Sequence, residues 1–197
     1  MFEGLVFKVA DDAEREHALA LRRRIYSSEL GCDGTDEFDD RADHLVACSE
    51  SGEVLAALRV VRPGNGPFEC EKYVTLSQFI SPGRFPAEVS RFCVEPERRY
   101  LDPKHVVQIG VLKLLISFSE VHGVTDIVTL VMPHLRNFYR LVFFRRRGDP
   151  IQHATFGTAH FLHLDVSDAR ARHGRSANPL ARLLFQTDSP NFHTSLP

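Results

Sequence analysis

One stretch of the sequence, Val106–Val121, is apolar almost all round and limits the folds open to the chain. A helix without a polar face has to be covered by the rest of the protein, so the stretch predicts a buried helix. Gly123 follows it and is the expected C-cap. With 197 residues, 43% hydrophobic and 25% charged, the chain is long enough to build one soluble globular domain around such a helix.

Strand-like and helix-like patterns alternate along the chain up to Ser167. Ser51 and Gly52 indicate a hairpin, Asp11 or Asp12 an N-cap, and Pro133 a helix start. The predicted elements are a strand over 5–9, a helix from 11 or 12 to 31, strands over 44–48, 54–61 and 88–94, the buried helix, a strand over 124–131, a helix from 133, and strands near 151–155 and 159–166.

The residues after Ser167 have a different composition from those before it. They are polar, dotted with arginine and rich in turn signals such as Asn178-Pro179 and Ser189-Pro190. The sequence therefore predicts a domain over residues 1–167 and a polar C-terminal extension over 168–197.

Charge and cysteine content argue against several functions. A net charge of −2 gives no overall attraction to nucleic acid or to an anionic membrane. The four cysteines form no C-x-x-C pair, and His160 and His163 are predicted to face opposite sides of one strand, so no metal site is expected. The N-terminus does not resemble a signal peptide, and no stretch is long and apolar enough to span a membrane. We therefore expect a cytoplasmic protein without a metal.

The most specific pattern in the chain is Glu88-Val89-Ser90-Arg91-Phe92-Cys93-Val94. It follows a strand with Gly52 and Arg59, and an acidic loop with Asp36 and Asp39. Over about residues 20–145 these positions, with Arg22 and Tyr26 in the first helix, resemble the acyl-homoserine-lactone synthases (autoinducer synthases). The order of elements resembles the Gcn5-related N-acetyltransferase (GNAT) superfamily. That resemblance implies an α/β (α+β) fold of three layers, in which a mixed sheet is splayed in the middle and has helices on both faces.

Other positions resemble a sister group, the N-acyl amino acid synthases. Met132 to Tyr139, the later Gly148 and Ile151-Gln152-His153 are similar to that group, as is His44 directly before its strand. Cys32 stands where autoinducer synthases carry tryptophan. The resemblance leaves the amine acceptor open between an amino acid and S-adenosylmethionine, and the loss of tryptophan favours the amino acid.

A turn after Val94 departs from the superfamily pattern. That turn usually brings glycine N–H groups to the pyrophosphate of the cofactor, but here Tyr100 to His105 contain no glycine. Arg98 and Arg99, just before it, are the candidate phosphate ligands. The departure leaves room for a thioester donor other than acetyl-CoA.

The resemblance implies an N-acyltransferase with no tightly bound cofactor. Its acyl donor would be a thioester of acyl carrier protein (ACP) or of coenzyme A (CoA). ACP would then be a possible protein partner. Glu88 is the expected general base, acting through a water; the alternative is that Glu88 is a structural partner of Arg59 or Arg91. Glu88 and Arg91 can face the same way only if a β-bulge lies between them, and such a bulge would also supply an oxyanion donor.

The remaining candidate residues have positioning or substrate-binding roles in this hypothesis. Asp36, Asp39, Arg59 and Arg91, next to Ser90, form an expected charge network. The expected substrate-binding residues are Arg22, Tyr26, His44, Phe92, Arg98, Arg99 and Phe138.

Three alternatives stay open at this point. Phe138, Tyr139, Phe143 and Phe144 form either the floor of an acyl tunnel or ordinary core. Arg145 to Arg147 meet either phosphate, an acidic ACP surface or solvent. The whole protein is either the proposed synthase, an ordinary acetyl-CoA-dependent N-acetyltransferase, or a non-catalytic module that binds acyl chains.

Overall fold

The computed structural model describes residues 2–100, 105–186 and 191–196. Within them lie nine strands and six α-helices. The strands are β1 (Leu5–Val9), β2 (Asp43–Ser49), β3 (Val54–Val61), β4 (Pro86–Val94), β5 (Asp126–Val131), β6 (Arg145–Arg146), β7 (Ile151–His153), β8 (Gly157–Asp165) and β9 (Phe192–His193). The helices are α1 (Asp12–Leu30), α2 (Pro96–Tyr100), α3 (Val106–Val121), α4 (Arg136–Leu141), α5 (Val166–His173) and α6 (Pro179–Phe185).

The sheet is mixed and parts in the middle. Its order is β6-β8-β5-β4-β3-β2-β1-β9, with β7 paired to β8 outside this path. The β4–β5 and β1–β9 pairs are parallel and the other pairs are antiparallel. Strands β4 and β5 pair only at Pro86 to Glu88 with Asp126 to Val128, and beyond that point they separate. This separation is the splay that the GNAT resemblance implies.

Helices cover both faces of the sheet because the strand residues alternate between two apolar surfaces. Leu45 and Ala47 of β2 belong to the cluster that contains the apolar helix α3. Val46 and Cys48, which point the other way, pack with Ala18, Leu21 and Ile25 of α1. The three-layer architecture is therefore confirmed.

Most of the predicted elements are confirmed, and the differences lie at their ends. Asp11 caps α1 through the Glu14 N–H, and Gly31 ends that helix at φ 68°. The C-cap of α3 is His122, and Gly123 follows it in the left-handed conformation. Pro133 opens a 3₁₀ turn, Pro133–Leu135, before α4 begins. The short elements α2 and β6 were not predicted.

The residues after Ser167 pack against the rest of the fold. Helices α5 and α6 contact α3 and each other, and Ala169, Leu184 and Phe185 belong to the main core. Strand β9 pairs with β1, and the Asn191 side chain donates to the Phe2 and Leu5 carbonyls at 2.8 Å each. The division at residue 167 remains a prediction. No helix of the described ranges is long and apolar enough to cross a membrane.

Candidate active site

A cleft opens where β4 and β5 separate. It has about 640 Å³ of empty space, part of which is open to solvent. Both strands line it, and so do the first helix, the 3₁₀ turn Glu69–Lys72, the start of α4 and the β7–β8 hairpin. The lining residues are Tyr26, Leu30, Glu69, Glu88, Ser90, Arg91, Phe92, Thr129, Leu130, Val131, Met132, Leu135, Tyr139, His153, Phe156 and Ala159.

A β-bulge in β4 brings Glu88 and Arg91 to the same cleft. Arg59 of β3 pairs with Ser90 and Ala57 pairs with Cys93, so Arg91 and Phe92 together oppose a single residue of β3. Arg91 adopts φ 56°, a conformation that non-glycine residues rarely adopt. The bulge shifts the alternation of side chains by one residue, which is why residues three apart share a face. The structure therefore contains the bulge that Glu88 and Arg91 need in order to face the same way.

Arg59 lies at the centre of a charge network beneath the cleft. Its side chain is 0% exposed. The guanidinium donates to Asp36 and to Glu69 (3.0 Å), lies 3.4 Å from Asp39, and donates through Nε to the Ser90 hydroxyl at 2.9 Å. A buried cation is stable only when paired and hydrogen-bonded, so these partners hold Arg59 in place.

Arg91 and Arg22 complete the network. Arg91 donates to Asp36 at 2.5 Å and to Glu69 at 3.0 Å, and Arg22 donates to Asp39 at 2.5 Å. The network thus combines three guanidinium groups with three carboxylates, and its formal charges cancel. Its members are Arg22, Arg59, Arg91, Asp36, Asp39 and Glu69.

The arginines keep Asp36 and Asp39 of the network ionised. Burial by itself would raise the pKa of Asp36, but Arg59 and Arg91 outweigh burial and the net pKa is lowered. The pKa of Asp39 is also lowered, because Arg22 and the Asp36 N–H more than offset its burial. These two side chains fix the acidic loop against the sheet and are poor proton acceptors at neutral pH.

Glu88 differs from these carboxylates in its partners. It is 1% exposed, and its two oxygens accept the backbone N–H groups of Glu69 (2.6 Å) and Cys70 (2.8 Å). Among the described residues Glu88 forms no ion pair with Arg59 or Arg91. The structure therefore does not show Glu88 as the structural partner of either arginine. Burial raises the pKa of Glu88 to about 7, although the two N–H groups oppose the shift.

Tyr26, Ser90 and Phe92 also lie where a substrate could meet them, but Arg22 and His44 do not. Arg22 is on the face of α1 that packs against the sheet, so its guanidinium points into the network and not into the cleft. His44 is buried behind Asp39, with 3.9 Å between Nε2 and the carboxylate. Burial lowers the pKa of His44 to about 4. The expected substrate contacts of Arg22 and His44 are thus absent from the cleft lining.

Arg98, Arg99 and Phe138 lie outside the cleft as well. Arg98 borders a separate surface groove, and Arg99 forms an ion pair with Glu29. Phe138 packs against His105 and the core, because the side of α4 that faces the cleft carries Tyr139 instead. Residues 101–104 of the turn expected to bind pyrophosphate lie outside the described residues.

Three cleft residues that belong to the charge network or lie against it were not predicted as site residues: Glu69, His153 and Phe156. Glu69 joins Arg59 to Arg91, and His153 Nε2 lies 3.4 Å from Glu69. The Phe156 ring lies 5.3 Å from the Arg91 guanidinium carbon. Glu69 sits in a turn with no hydrophobic period, which gives no signal. His153 belongs to the segment that resembles the N-acyl amino acid synthases, and that similarity is the signal that could have indicated it.

The chemistry open to this cleft is proton transfer in a partly dry environment. Glu88 offers a carboxyl group that titrates near neutral pH, next to a network of fixed charge. Arg91 and Phe92 of the bulge line the same space. Within the residues that the structure describes, no group of His, Cys, Asp and Glu side chains is arranged to hold a metal ion.

Comparison with known proteins connects this geometry to a family. The sequence model of the N-acyl amino acid synthase FeeM matches residues 17–165. L-ornithine N(alpha)-acyltransferase of Rhodobacter capsulatus is 28% identical over 155 residues, which cover 64% of this chain and 60% of that protein. The chain therefore spans about three fifths of the length of this curated relative.

Solved structures share the fold. FeeM, an N-acyl amino acid synthase from uncultured soil microbes, superposes with a TM-score of 0.72 at 17% identity, over 85% of this chain and 94% of that one. BjaI is a CoA-dependent acyl-homoserine lactone synthase solved with SAM and isopentyl-CoA. It superposes with a TM-score of 0.65 at 16% identity, over 96% of this chain and 92% of that one. N-acetyltransferases share the fold too, which is that of the GNAT superfamily. Because the family model matches most of its length, the chain belongs to the FeeM family of N-acyl amino acid synthases.

Proposed function

We propose that this protein is an N-acyltransferase that moves a fatty acyl group from an ACP or CoA thioester to the amine of an amino acid or an amino-acid-derived acceptor. The observation that carries the proposal is Glu88, a buried carboxyl group with a pKa of about 7 in the cleft formed by the splayed strands. Membership of the FeeM family supports the same reaction class.

The apolar part of the cleft lining supports an acyl donor with a hydrocarbon chain. It includes Phe92, Val131 and Met132, and also Leu30 and Leu135, which have 38% and 36% of their surface exposed. Exposed apolar side chains at the edge of a cleft are typical of ligand-binding surfaces. An acetyl group would leave this surface uncovered, whereas a longer chain would cover it.

The relatives support an amino acid as the acceptor. The matched family is named for N-acyl amino acid synthesis, and the Rhodobacter relative is named for acyl transfer to L-ornithine. Cys32 stands in the place of the tryptophan of the autoinducer synthases, and this favours an amino acid over S-adenosylmethionine. Production of an acyl-homoserine lactone signal, as the name of BjaI describes, is the second candidate within the same reaction class.

The proposed mechanism is direct attack by the amine. Ionised Glu88, acting through a water, takes the proton that the acceptor ammonium must lose. The amine nitrogen then bonds to the thioester carbon, and the oxygen of the tetrahedral intermediate is stabilised by a backbone N–H of the Arg91–Phe92 bulge. Collapse of the intermediate breaks the carbon–sulfur bond, and the second proton that the nitrogen loses on becoming an amide is taken up by the leaving thiolate.

The proposal is tested by assaying the purified protein with every combination of acyl donor and amine acceptor. The donors are acetyl-CoA, long-chain acyl-CoA and acyl-ACP, and the acceptors are ornithine, neutral amino acids and S-adenosylmethionine. Thiol release that depends on a long-chain donor and an amino acid is the expected result. Turnover of acetyl-CoA without long-chain activity would instead identify an ordinary N-acetyltransferase, and no turnover in any combination would overturn the proposal.

A further inference from the structure

His153 is a buried histidine of the cleft to which neither the sequence analysis nor the proposed mechanism gives a role. Its residue surface is 7% exposed, and its ring lies between Tyr73 (4.9 Å between ring centres) and Phe156 (4.7 Å). Its Nε2 atom lies 3.4 Å from Oε1 of Glu69, the same oxygen that accepts from Arg91.

The backbone around His153 determines which ring nitrogen carries the proton. Nδ1 accepts two N–H groups, from Thr155 at 3.1 Å and from Phe156 at 3.2 Å. A nitrogen that accepts hydrogen bonds has no proton, so the proton of the neutral ring lies on Nε2, the atom 3.4 Å from the Glu69 carboxylate. Burial lowers the pKa of His153, although the nearby Glu69 carboxylate opposes the shift, and the ring is neutral at pH 7.

The same contacts connect His153 to two other parts of the cleft. Through Nδ1 it holds the turn that carries Phe156, and the Phe156 ring lies beside Arg91 and Tyr26. Through Nε2 it reaches Glu69, whose other oxygen accepts from Arg59. The ring thus bridges the β7–β8 hairpin on one side of the cleft and the charge network on the other.

We propose that His153 is a positioning residue for acyl transfer: its Nε2–H orients the Glu69 carboxylate, while its Nδ1 fixes the turn that places Phe156 over Arg91. This proposal rests on the proposed N-acyltransferase function. The role requires a hydrogen-bond acceptor and a donor on one neutral side chain, and it does not require a ring.

Two substitutions separate this role from simple packing. His153→Gln keeps an acceptor oxygen and a donor N–H without the ring, whereas His153→Phe keeps the ring without either polar atom. If His153 positions Glu69, the Phe variant loses about 10- to 100-fold in kcat/KM for the amine, the size expected for a hydrogen bond to a charged group, and the Gln variant stays within about threefold of wild type. A packing role predicts the reverse order.

His160→Gln is the matched control, because His160 is also a buried histidine of this hairpin but does not line the cleft. Its kcat/KM should equal that of wild type. Thermal unfolding of each variant shows whether a loss of activity reflects unfolding. The role of His153 would be overturned if the wild type is active and the His153→Phe variant is equally active. It would also be overturned if the His153→Gln variant is folded but as impaired as His153→Phe. An inactive wild type would instead overturn the proposed function.

Nitrogen NMR of the wild-type protein tests the tautomer without any substitution or turnover. Spectra of ¹⁵N-histidine-labelled protein, assigned by comparison with the His153→Gln variant, should show His153 neutral at pH 7 with its proton on Nε2. A proton on Nδ1, or a charged ring at pH 7, would contradict the inference whatever the activity measurements give.

Discussion

Glu88 is a cleft carboxylate whose pKa, raised to about 7 by burial, lets its protonation state change near neutral pH. The other carboxylates facing or supporting the cleft are paired with arginines, whereas Glu88 accepts two backbone N–H groups and loses most of its solvent. Desolvation disfavours the ionised form, which makes the ionised carboxylate a better base than an exposed glutamate. The backbone N–H groups hold the carboxylate in one orientation, so the proton is accepted at a fixed place.

The pH dependence of the reaction follows from this pKa. The base is the ionised form, and the pKa of Glu88 is raised from 4.5 to about 7. We therefore expect kcat/KM for the amine to rise about tenfold per pH unit below pH 7 and to level off above it. An initial-rate profile between pH 5 and 8.5 measures this. A profile that is already flat from pH 5 upward would mean that the base has an ordinary carboxyl pKa, or that Glu88 is not the base.

The contrast between Arg22 and Glu69 shows what a sequence pattern leaves undetermined. Both are charged residues of the network, yet the spacing that drew attention to Arg22 does not say whether its helix face points to the sheet or to the cleft. Glu69 lies in a turn, and only the folded chain brings it between Arg59 and Arg91. Glu88 and Arg91 could be placed together because they lie in one strand, in which side-chain alternation and the bulge fix their directions.

At the scale of elements, the network holds the acidic loop, the 3₁₀ turn Glu69–Lys72 and strands β3 and β4 together. Replacement of Arg59 by alanine would leave three carboxylates, of which Asp39 and Glu69 are buried, short of a partner. We expect Arg59→Ala to lose about 3–5 kcal/mol of unfolding free energy, the usual cost of breaking a buried ion pair from one side. Chemical denaturation at pH 7 measures the loss.

Arg62→Ala is the matched control for this substitution. Arg62 directly follows β3 and pairs with Asp43 at a half-exposed position, so its loss should cost less than about 1 kcal/mol. If both variants lose equally little unfolding free energy, the buried network does not stabilise the fold as described.

The contact between α3 and β1 gives a second test at this scale. A Cβ atom added at Gly110 would lie 2.1 Å from the Phe7 ring, which is fully buried. Alanine favours helix by about 1 kcal/mol over glycine, but overpacking costs about 1–3 kcal/mol. We expect Gly110→Ala to lower the melting temperature, while Ser117→Ala in the same helix should leave it unchanged or raise it slightly. A Gly110→Ala variant as stable as wild type would mean that β1 and α3 are not this close.

Element boundaries were predictable where local pattern and burial agree. Strands β1 and β3 and helix α3 have the predicted ends, because in each of them an apolar stretch stops at polar or turn-forming residues. The order of the strands in the sheet came through the resemblance to the GNAT fold and not from periodicity. The short helix α2 and strand β6 have two to five residues each, too few for a periodic signal.

At the scale of the whole molecule, the chain after Ser167 is tied into the core in a way that its polar composition did not indicate. Lys113 of α3 is 2% exposed and donates to the carbonyls of Leu183 (3.1 Å) and Gln186. Leu184 and Phe185 fill the core beside it. A few apolar residues spaced on a short helix are enough for this packing, and they are hard to recognise among many arginines.

Deletion of residues 175–197 tests this arrangement. It removes α6 and β9, exposes the part of α3 that they cover, and takes away two acceptors of the buried Lys113 ammonium. We expect a shorter protein that is insoluble or melts at a much lower temperature. Deletion of residues 194–197 alone, which keeps both elements, is the control and should melt close to wild type. A stable 1–174 protein would show that the C-terminal segment is dispensable for the fold.

The most direct test of the account is mass spectrometry of organic extracts from cells that produce either the wild-type protein or Glu88→Gln. The account predicts N-acylated amino acids with long acyl chains in the wild-type extract, and a reduction of at least about 100-fold with Glu88→Gln at equal levels of folded protein, the usual effect of losing a general base. Equal amounts of product from the two proteins, or no N-acylated product from wild type, would contradict it.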